Sequence, residues 1–442
     1  MTTPLQPVPP LTAPRRPRKL SVAERRLDTG LRVLAVRRAG VPLVEARLRI
    51  PFAGRSASLP ARANVMAETL LRGTADHSAV EIAIALQEVG GGLHVSTDPD
   101  RLMISGNALA SGLPRLLEIV AEVLTGASYP AEEVNGERDR LVERLRMARS
   151  QPGVIARESL LSRMYGEHPY AGEIPQVEAV AAVTRGPLAT LHRTRVVPEG
   201  SALVLVGDLP PARMLDRVEQ ALSIWDTAGR AHAPGRLPTI QPGPLVLVDR
   251  PESVQSNLRI GGPALPRQDE DYAAMQLANM IFGGYFSSRL VENIREDKGY
   301  TYSPHCGIEH SVAGSSFVVE ADVATGVTAP ALLETRYELG RMANVPVTQD
   351  ELDNARQYAI GTLALSTSTQ AGLASTLTAL LSNDLGPDWI RDHPKRLARV
   401  TVEGVLRQAA RFLAPQRLVT VVVGDSAAVE AALSTLDEVV AG

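Results

Sequence analysis

The chain is expected to be an α+β protein of two homologous α/β sandwich domains produced by internal duplication, and three observations carry that expectation. Leu48-Arg49-Ile50 recurs as Leu258-Arg259-Ile260, 210 residues on, and Val206-Gly207-Asp208 recurs as Val423-Gly424-Asp425, 217 residues on. Two landmarks in the same order, each in the same strand context, mark a repeat. Each half also alternates strand pairs with helical pairs, which is the grammar of a sheet carrying helices on its face. Between the halves, residues 226–244 hold Pro234, Pro238, Pro242 and Pro244 together with Gly229, Gly235 and Gly243, the composition of a linker. The divisions that follow are a tail at 1–20, a first domain at 21–225, a linker at 226–244 and a second domain at 245–442.

A length of 442 residues exceeds what one core usually organises, and it lets each half bury a core of its own. The single cysteine, Cys306, excludes an intrachain disulfide and any cysteine metal cluster. A formal net charge of -3 with 21% charged residues gives no strong field for nucleic acid or a membrane surface. The Pro-rich start, with Arg15-Arg16-Pro17-Arg18-Lys19, has no apolar core before a small-residue cleavage site, so it reads as a disordered tail rather than a signal peptide. No run is long and apolar enough to span a bilayer. A soluble cytoplasmic protein with no nucleic-acid or membrane partner is expected.

In order along the chain, residues 31–36 and 44–50 read as a hairpin around a Gly/Pro turn. Residues 62–72 are helical in composition and end at Gly73-Thr74. Ser78 and Glu81 have capping-box spacing for the next helix, whose apolar face is predicted to hold Val80, Ile84 and Leu86 before Gly90-Gly91-Gly92. Strands are predicted at 93–96 and 102–107, joined at Asp98-Pro99-Asp100. Helices follow at 113–124 and 131–149, the second placed after Pro130. Residues 165–170 read as a loop, and 203–208 as a fully apolar strand that closes the first half.

The most informative stretch is 283–303. Gly283-Gly284 permits a tight backbone entry, 286–297 has helical composition, Gly299 is placed to end that helix, and a Tyr/Thr-rich strand is expected next, with Tyr300 on the same face as Tyr302. From Gly283 to Ser303 the stretch resembles the second domain of the inverzincin peptidases, the pitrilysin, insulinase and mitochondrial processing peptidase family, which reads roughly G-G-x-x-S-S-R-L-x-x-x-x-R-x-x-x-G-x-x-Y-S. The resemblance implies two similar domains that close like a clam shell around a peptide, this chain forming half of the chamber. It also implies that Arg295 and Tyr302 bind substrate and stabilise the tetrahedral intermediate, with Gly283, Gly284, Ser287, Ser288 and Arg289 contributing to substrate binding.

The family's first domain carries H-x-x-E-H before a Gly-Thr, and a glutamate about seventy-six residues later. Two histidines four apart share one helical face, the glutamate between them is the general base, and a carboxylate from another helix completes a tetrahedral zinc site. This chain departs from the pattern. The histidine positions are Asn64 and Glu68, the base position is Ala67, and the third ligand position is Arg144, with Glu143 able to substitute only by a one-residue slip. No metal is expected in this chain, and Glu68 facing Arg144 suggests an ion pair there. His305, Cys306 and His310 do not form a site either: His305 and His310 point to opposite faces of a strand, and Cys306 and His310 are about 13 Å apart at about 3.3 Å per residue.

Short two-domain members of the family often pair a chain that holds H-x-x-E-H with a paralogue that holds the Arg/Tyr pair. This chain matches the second of these. The resemblance therefore implies a non-zinc-binding subunit of a heterodimeric peptidase, inactive alone, with zinc in a paralogous partner and a peptide or leader peptide as substrate. The alternative is a pseudopeptidase that binds or scaffolds without supporting catalysis.

Overall fold

The computed structural model describes residues 19–442, so all but the last two residues of the tail predicted at 1–20 lie outside that range. Two six-stranded mixed sheets form the frame, one from each half. The first contains β1 (Ser21–Arg26), β2 (Arg32–Arg37), β3 (Leu43–Pro51), β4 (Gly92–Thr97), β5 (Arg101–Leu109) and β6 (Ala202–Gly207), in the order β1-β2-β6-β3-β5-β4. The second contains β7 (Leu245–Asp249), β8 (Gln255–Ala264), β9 (His305–Ser311), β10 (Gly314–Ala324), β11 (Val419–Gly424) and β12 (Val439–Ala441), in the order β12-β7-β11-β8-β10-β9.

Five strands of each sheet correspond one to one. The Leu-Arg-Ile tripeptides lie in β3 and β8, and the Val-Gly dipeptides end β6 and β11, which are topological counterparts. Among these five strands one pairing is parallel in each sheet, β2 with β6 and β7 with β11, and the next is antiparallel, β6 with β3 and β11 with β8. The sixth strand differs. In the first sheet it is the N-terminal β1, antiparallel to β2; in the second it is the C-terminal β12, parallel to β7.

Each sheet packs one face on the helices of its own half. Leu48, Ile50, Leu203 and Leu205 face the helices Leu59–Thr69, Leu113–Gly126 and Pro211–Leu222, and Trp225 closes that core, its indole N–H donating to the Val196 carbonyl at 3.1 Å. Leu258, Ile260, Phe317 and Val319 do the same in the second half against Thr328–Asn344 and Val402–Phe412.

The opposite face of each sheet is covered by a helix from the other half. Leu160 and Met164 of the helix Pro152–Tyr165 pack on Val419, Val421 and Val423 of β11. Reciprocally, Leu373 and Leu377 of the helix Gln370–Leu381 pack on Leu34, Val36, Val204 and Val206. This is why β6 and β11 are buried at every residue and show no polar alternation: both faces are covered. The linker region is not a free tether, since Leu237 and Ile240 lie against the same cluster as Leu160.

A polar clasp joins the halves beside this seam. The Tyr170 hydroxyl and the Val312 amide donate to the Asp100 carboxylate at 2.6 and 2.8 Å, the Ala313 amide donates to the Tyr170 oxygen, and Arg157 donates both Nη atoms to Glu309. Burial raises the Asp100 pKa, and the two donors oppose that rise. The stretch at 165–170, predicted as a loop, contributes Tyr165 as the last residue of a helix and Tyr170 as a buried member of the clasp.

One local expectation is corrected in the first half. The helix Ala79–Glu88 has the predicted capping box, but Val80 and Ile84 are exposed and its buried side is Ile82, Ala85 and Leu86. Val80 and Ile84 share a face that is turned away from the sheet, so only Leu86 of the predicted set reaches the core.

Candidate functional site

The first-half locus lies between the helices Leu59–Thr69 and Ala131–Arg149. Arg144 Nη2 donates to Glu68 Oε1 at 2.5 Å, across 76 residues of sequence. Asn64 turns its amide back to the Pro60 carbonyl at 2.9 Å, and Ala67 is buried. About two turns before Arg144 on the same helix, Glu137, 2% exposed, pairs with Arg72 at 2.6 Å and Arg140 at 2.9 Å. The hydrogen bond from Arg140, reinforced by the charges of Arg72 and Arg144, holds the Glu137 carboxyl below the usual range.

This donor set does not fit zinc. The ion needs three or four anionic or imidazole ligands, whereas here two carboxylates already compensate three guanidinium groups. Glu143, the slipped alternative, pairs with Arg146 on the surface. Among the described residues no group of three or more His, Cys, Asp or Glu is placed to hold an ion.

The second-half locus is built from the glycine-rich stretch. Gly283 and Gly284 lie where the chain passes close to β9 and back over its own helix. A Cβ on Gly283 would sit 3.1 Å from Cys306 Sγ, and one on Gly284 would sit 3.1 Å from the Asn279 amide nitrogen. After Tyr285, in extended backbone, a helical segment runs from Arg289 to Asp297 with its last six residues wound as a π-helix. It therefore begins at Arg289 rather than at Phe286 as expected, since Ser288 takes an extended N-cap conformation. Gly299, at φ +63°, ends it as predicted.

The strand expected directly after Gly299 is absent. Thr301 makes one isolated bridge to Val323, and β9 starts only at His305. Pro304 has no N–H for a ladder, and the chain bends on either side of Thr301. Tyr300 is half-buried against the core and Tyr302 is 83% exposed, so the two do not share a strand face.

Arg295 and Tyr302 are brought together. The Arg295 guanidinium carbon lies 5.1 Å from the centre of the Tyr302 ring and 4.6 Å from that of Phe286, so the cation is flanked by two aromatic rings. Its Nε faces Glu296 at 3.2 Å, and its Nη atoms make no hydrogen bond among the described residues. Phe286 was not singled out from sequence. Its spacing of nine residues from Arg295 is neither a helical nor a strand period, and only the loop ahead of Arg289 makes the contact.

The five residues expected at a binding surface separate into two groups. Ser287 is exposed, but Ser288 is 1% exposed and Arg289 is buried in a bidentate pair with Glu351, at 2.6 and 2.9 Å. Glu351 is also the capping-box acid of the helix Gln349–Ser366, so Arg289 ties the loop to the start of that helix. Gly283, Gly284, Ser288 and Arg289 thus hold the loop in shape, while Phe286, Ser287, Arg295 and Tyr302 reach its surface.

The buried histidines are used structurally. His192 Nε2 donates to the Leu124 carbonyl at 2.8 Å, Nδ1 accepts from the Tyr129 hydroxyl at 2.7 Å, and burial lowers its pKa. His310, between Tyr272 and Ser315, is pushed down to about 3 by burial and by the charge of Arg267. His305 lies exposed, and Cys306 is buried beside Asn279.

Comparison with known proteins completes the site. Residues 62–176 match the model described as "Insulinase (Peptidase family M16)", and residues 182–358 match "Peptidase M16 inactive domain". The two together span more than half of the chain. It belongs to peptidase family M16. An uncharacterized zinc protease of Streptomyces coelicolor is 28% identical over 370 residues, covering 80% of this chain and 78% of that protein. A counterpart from Mycobacterium leprae is 26% identical over 339 residues, covering 76% of each. Among solved structures, a peptidase M16 inactive domain from Pseudomonas fluorescens superimposes with a TM-score of 0.85 at 23% identity, covering 92% of this chain and 98% of that one. A Helicobacter pylori protease does so at 0.84 and 17%, covering 92% and 99%. The M16 fold is thus present throughout both halves, and no helix among the described residues is long and apolar enough to cross a membrane.

Proposed function

We propose that this M16 chain is the zinc-free member of a two-chain peptidase. It supplies Arg295 and Tyr302 to a site whose metal is held by a paralogous partner carrying H-x-x-E-H. The observation that carries the reading is the contrast between the two loci. At the first, arginine and carboxylate neutralise one another where the family places ligands; at the second, a guanidinium with open Nη donors is held beside an exposed phenol.

The chemistry of this chain is then binding and charge stabilisation. Arg295 donates to a backbone carbonyl of an extended peptide, and the Tyr302 hydroxyl donates to the carbonyl oxygen that becomes negative when water adds. Donors aimed at developing charge act mainly in the transition state, so such a chain contributes to rate without holding a metal. Substrates on this reading are oligopeptides or unfolded segments, a leader peptide being one setting.

Reconstitution tests it. The chain purified alone should carry no stoichiometric zinc by elemental analysis and hydrolyse no peptide, and adding its zinc-bearing paralogue should produce activity that neither has alone. A paralogue that is fully active by itself, with this chain remaining unassociated, would overturn the reading.

A further inference from the structure

A cavity of about 270 Å³ lies at the seam, beside the polar clasp that joins the two halves. The turn ahead of β5 and the helix Pro152–Tyr165 wall it from the first half. The segment after β8, the end of β9 and the end of the helix Gln370–Leu381 wall it from the second. Neither the Glu68 and Arg144 pair nor the Arg295 and Tyr302 pair lines it.

The wall carries charges of both signs, and most of them cancel in place. Arg157 is shared by Glu309 at 2.7 Å and Glu173 at 3.0 Å, and Arg101 is paired with Asp98 at 2.7 Å. Two charged groups are left over. The Asp100 carboxylate, 8% exposed, accepts from the neutral Tyr170 and Val312 donors, and among the described residues no cation lies within ion-pair distance of it. Arg267, half-buried, has no carboxylate partner among the described residues, and its buried Nε has no hydrogen-bond partner. The charge of Arg267 falls instead on groups that cannot compensate it. Burial and that charge push His310 down to about 3, and burial with the charges of Arg396 and Arg267 pushes His393 down to about 4. Uncompensated charge on a buried wall costs stability, and a seam that had only to pack would be better served by apolar residues.

From these two groups we infer that the seam cavity is a binding site for a small zwitterion, a free α-amino acid or a dipeptide, with its carboxylate on Arg267 and its ammonium on Asp100. Size and chemistry agree. At about 30 Å³ per water the cavity has room for about nine waters, which suits a ligand smaller than the drug-sized molecules that occupy larger pockets. The Arg267 guanidinium is a planar fork suited to a carboxylate, and Asp100 keeps lone pairs free after accepting its two hydrogen bonds. An anion alone would satisfy Arg267 and set a second negative charge near Asp100, and a cation alone would do the reverse. Asp100 stands just ahead of β5 and Arg267 just after β8, so one bound molecule ties the first half to the second alongside the clasp. The site does not depend on the two-chain reading; if that reading holds, the ligand belongs to the class of molecule that peptide hydrolysis releases.

The test titrates the full chain with L-alanine and L-alanyl-L-alanine, and with the N-acetyl and amide forms of each, by calorimetry and thermal shift. At least one of the two zwitterions is expected to bind with a Kd on the order of 1 mM or tighter and to raise Tm, as a ligand of the folded chain does. Blocking either of its ends should weaken binding about tenfold or more, the loss of one hydrogen-bonded contact to a charged group. Arg267→Gln should erase the difference between free acid and amide while keeping that between free amine and N-acetyl form. Asp100→Asn should do the converse. Where Asp100→Asn loosens the clasp and lowers Tm, Arg267→Gln, outside the clasp and half-buried, still decides.

An N-acetyl form that binds as tightly as its parent would make the cavity an anion site, and an amide that does so would make it a cation site; either result overturns the proposal. So does the lack of saturable binding by both zwitterions, or a titration that Arg267→Gln leaves unchanged.

Discussion

The two halves of this protein share five strands in one order, yet they differ in how their charged side chains are disposed at the two loci described above. In the first half, Arg144 is bound by Glu68, and Arg72 and Arg140 share Glu137. In the second, Arg295 has one carboxylate neighbour, the exposed Glu296, and two aromatic rings. The contrast is chemical rather than architectural. A guanidinium paired with a carboxylate is spent within the fold, whereas one packed against aromatic rings keeps its Nη donors for something outside it.

The comparison can be broken first at the seam. If each half is truly completed by the other, Leu160→Ala in the first half should loosen β11 of the second, and Leu377→Ala in the second should loosen β6 of the first. Each is expected to cost about 2–5 kcal/mol, as for other fully buried leucines. Hydrogen exchange read strand by strand decides the matter, and faster exchange confined to the half that carries the substitution would contradict reciprocal packing. Next in size is Tyr302→Phe in the assembled pair. Loss of one donor to a developing oxyanion should lower kcat by about 10² to 10³, roughly 3–4 kcal/mol, with KM nearly unchanged. An unaltered kcat would leave Tyr302 as a spectator and the two loci equally inert. The smallest effect is expected at the first locus, where Arg144→Ala removes a pair whose side chains are 53% and 37% exposed. Exposed pairs contribute about 0–1 kcal/mol, so a shift in Tm of more than a few degrees would show that this locus supports the fold more than its exposure implies.

Much of the frame was legible in the sequence because duplication leaves landmarks that survive divergence. The Leu-Arg-Ile and Val-Gly sites fall on corresponding strands, and the apolar run within 203–208 was legible as a strand without polar alternation. What covers the second face was not legible. Leu160 and Leu377 have ordinary helical periodicity, and nothing local says that a helix belongs against the other half's sheet. At the candidate site, the Glu68 and Arg144 pair could be read from the motif spacing. The place of Phe286 could not, because it depends on a loop conformation set by buried Ser288 and Arg289 and by Glu351. Tyr302 was assigned to a strand because Tyr and Thr favour strands, and that preference yields here to the bend before Pro304.

The exchange of the helices Pro152–Tyr165 and Gln370–Leu381 also sets an order of events during synthesis. β6 ends at Gly207, but the helix that covers its second face begins at Gln370. At about 5–20 residues per second, the nascent first half waits on the order of ten seconds or more with one side of its sheet uncovered. The helix Pro152–Tyr165 meanwhile has no sheet to dock on until β8 and β11 have been made. A ribosome-bound chain stopped before residue 370 should therefore be a good client for holding chaperones, and slow translation beyond the linker would lengthen that exposure.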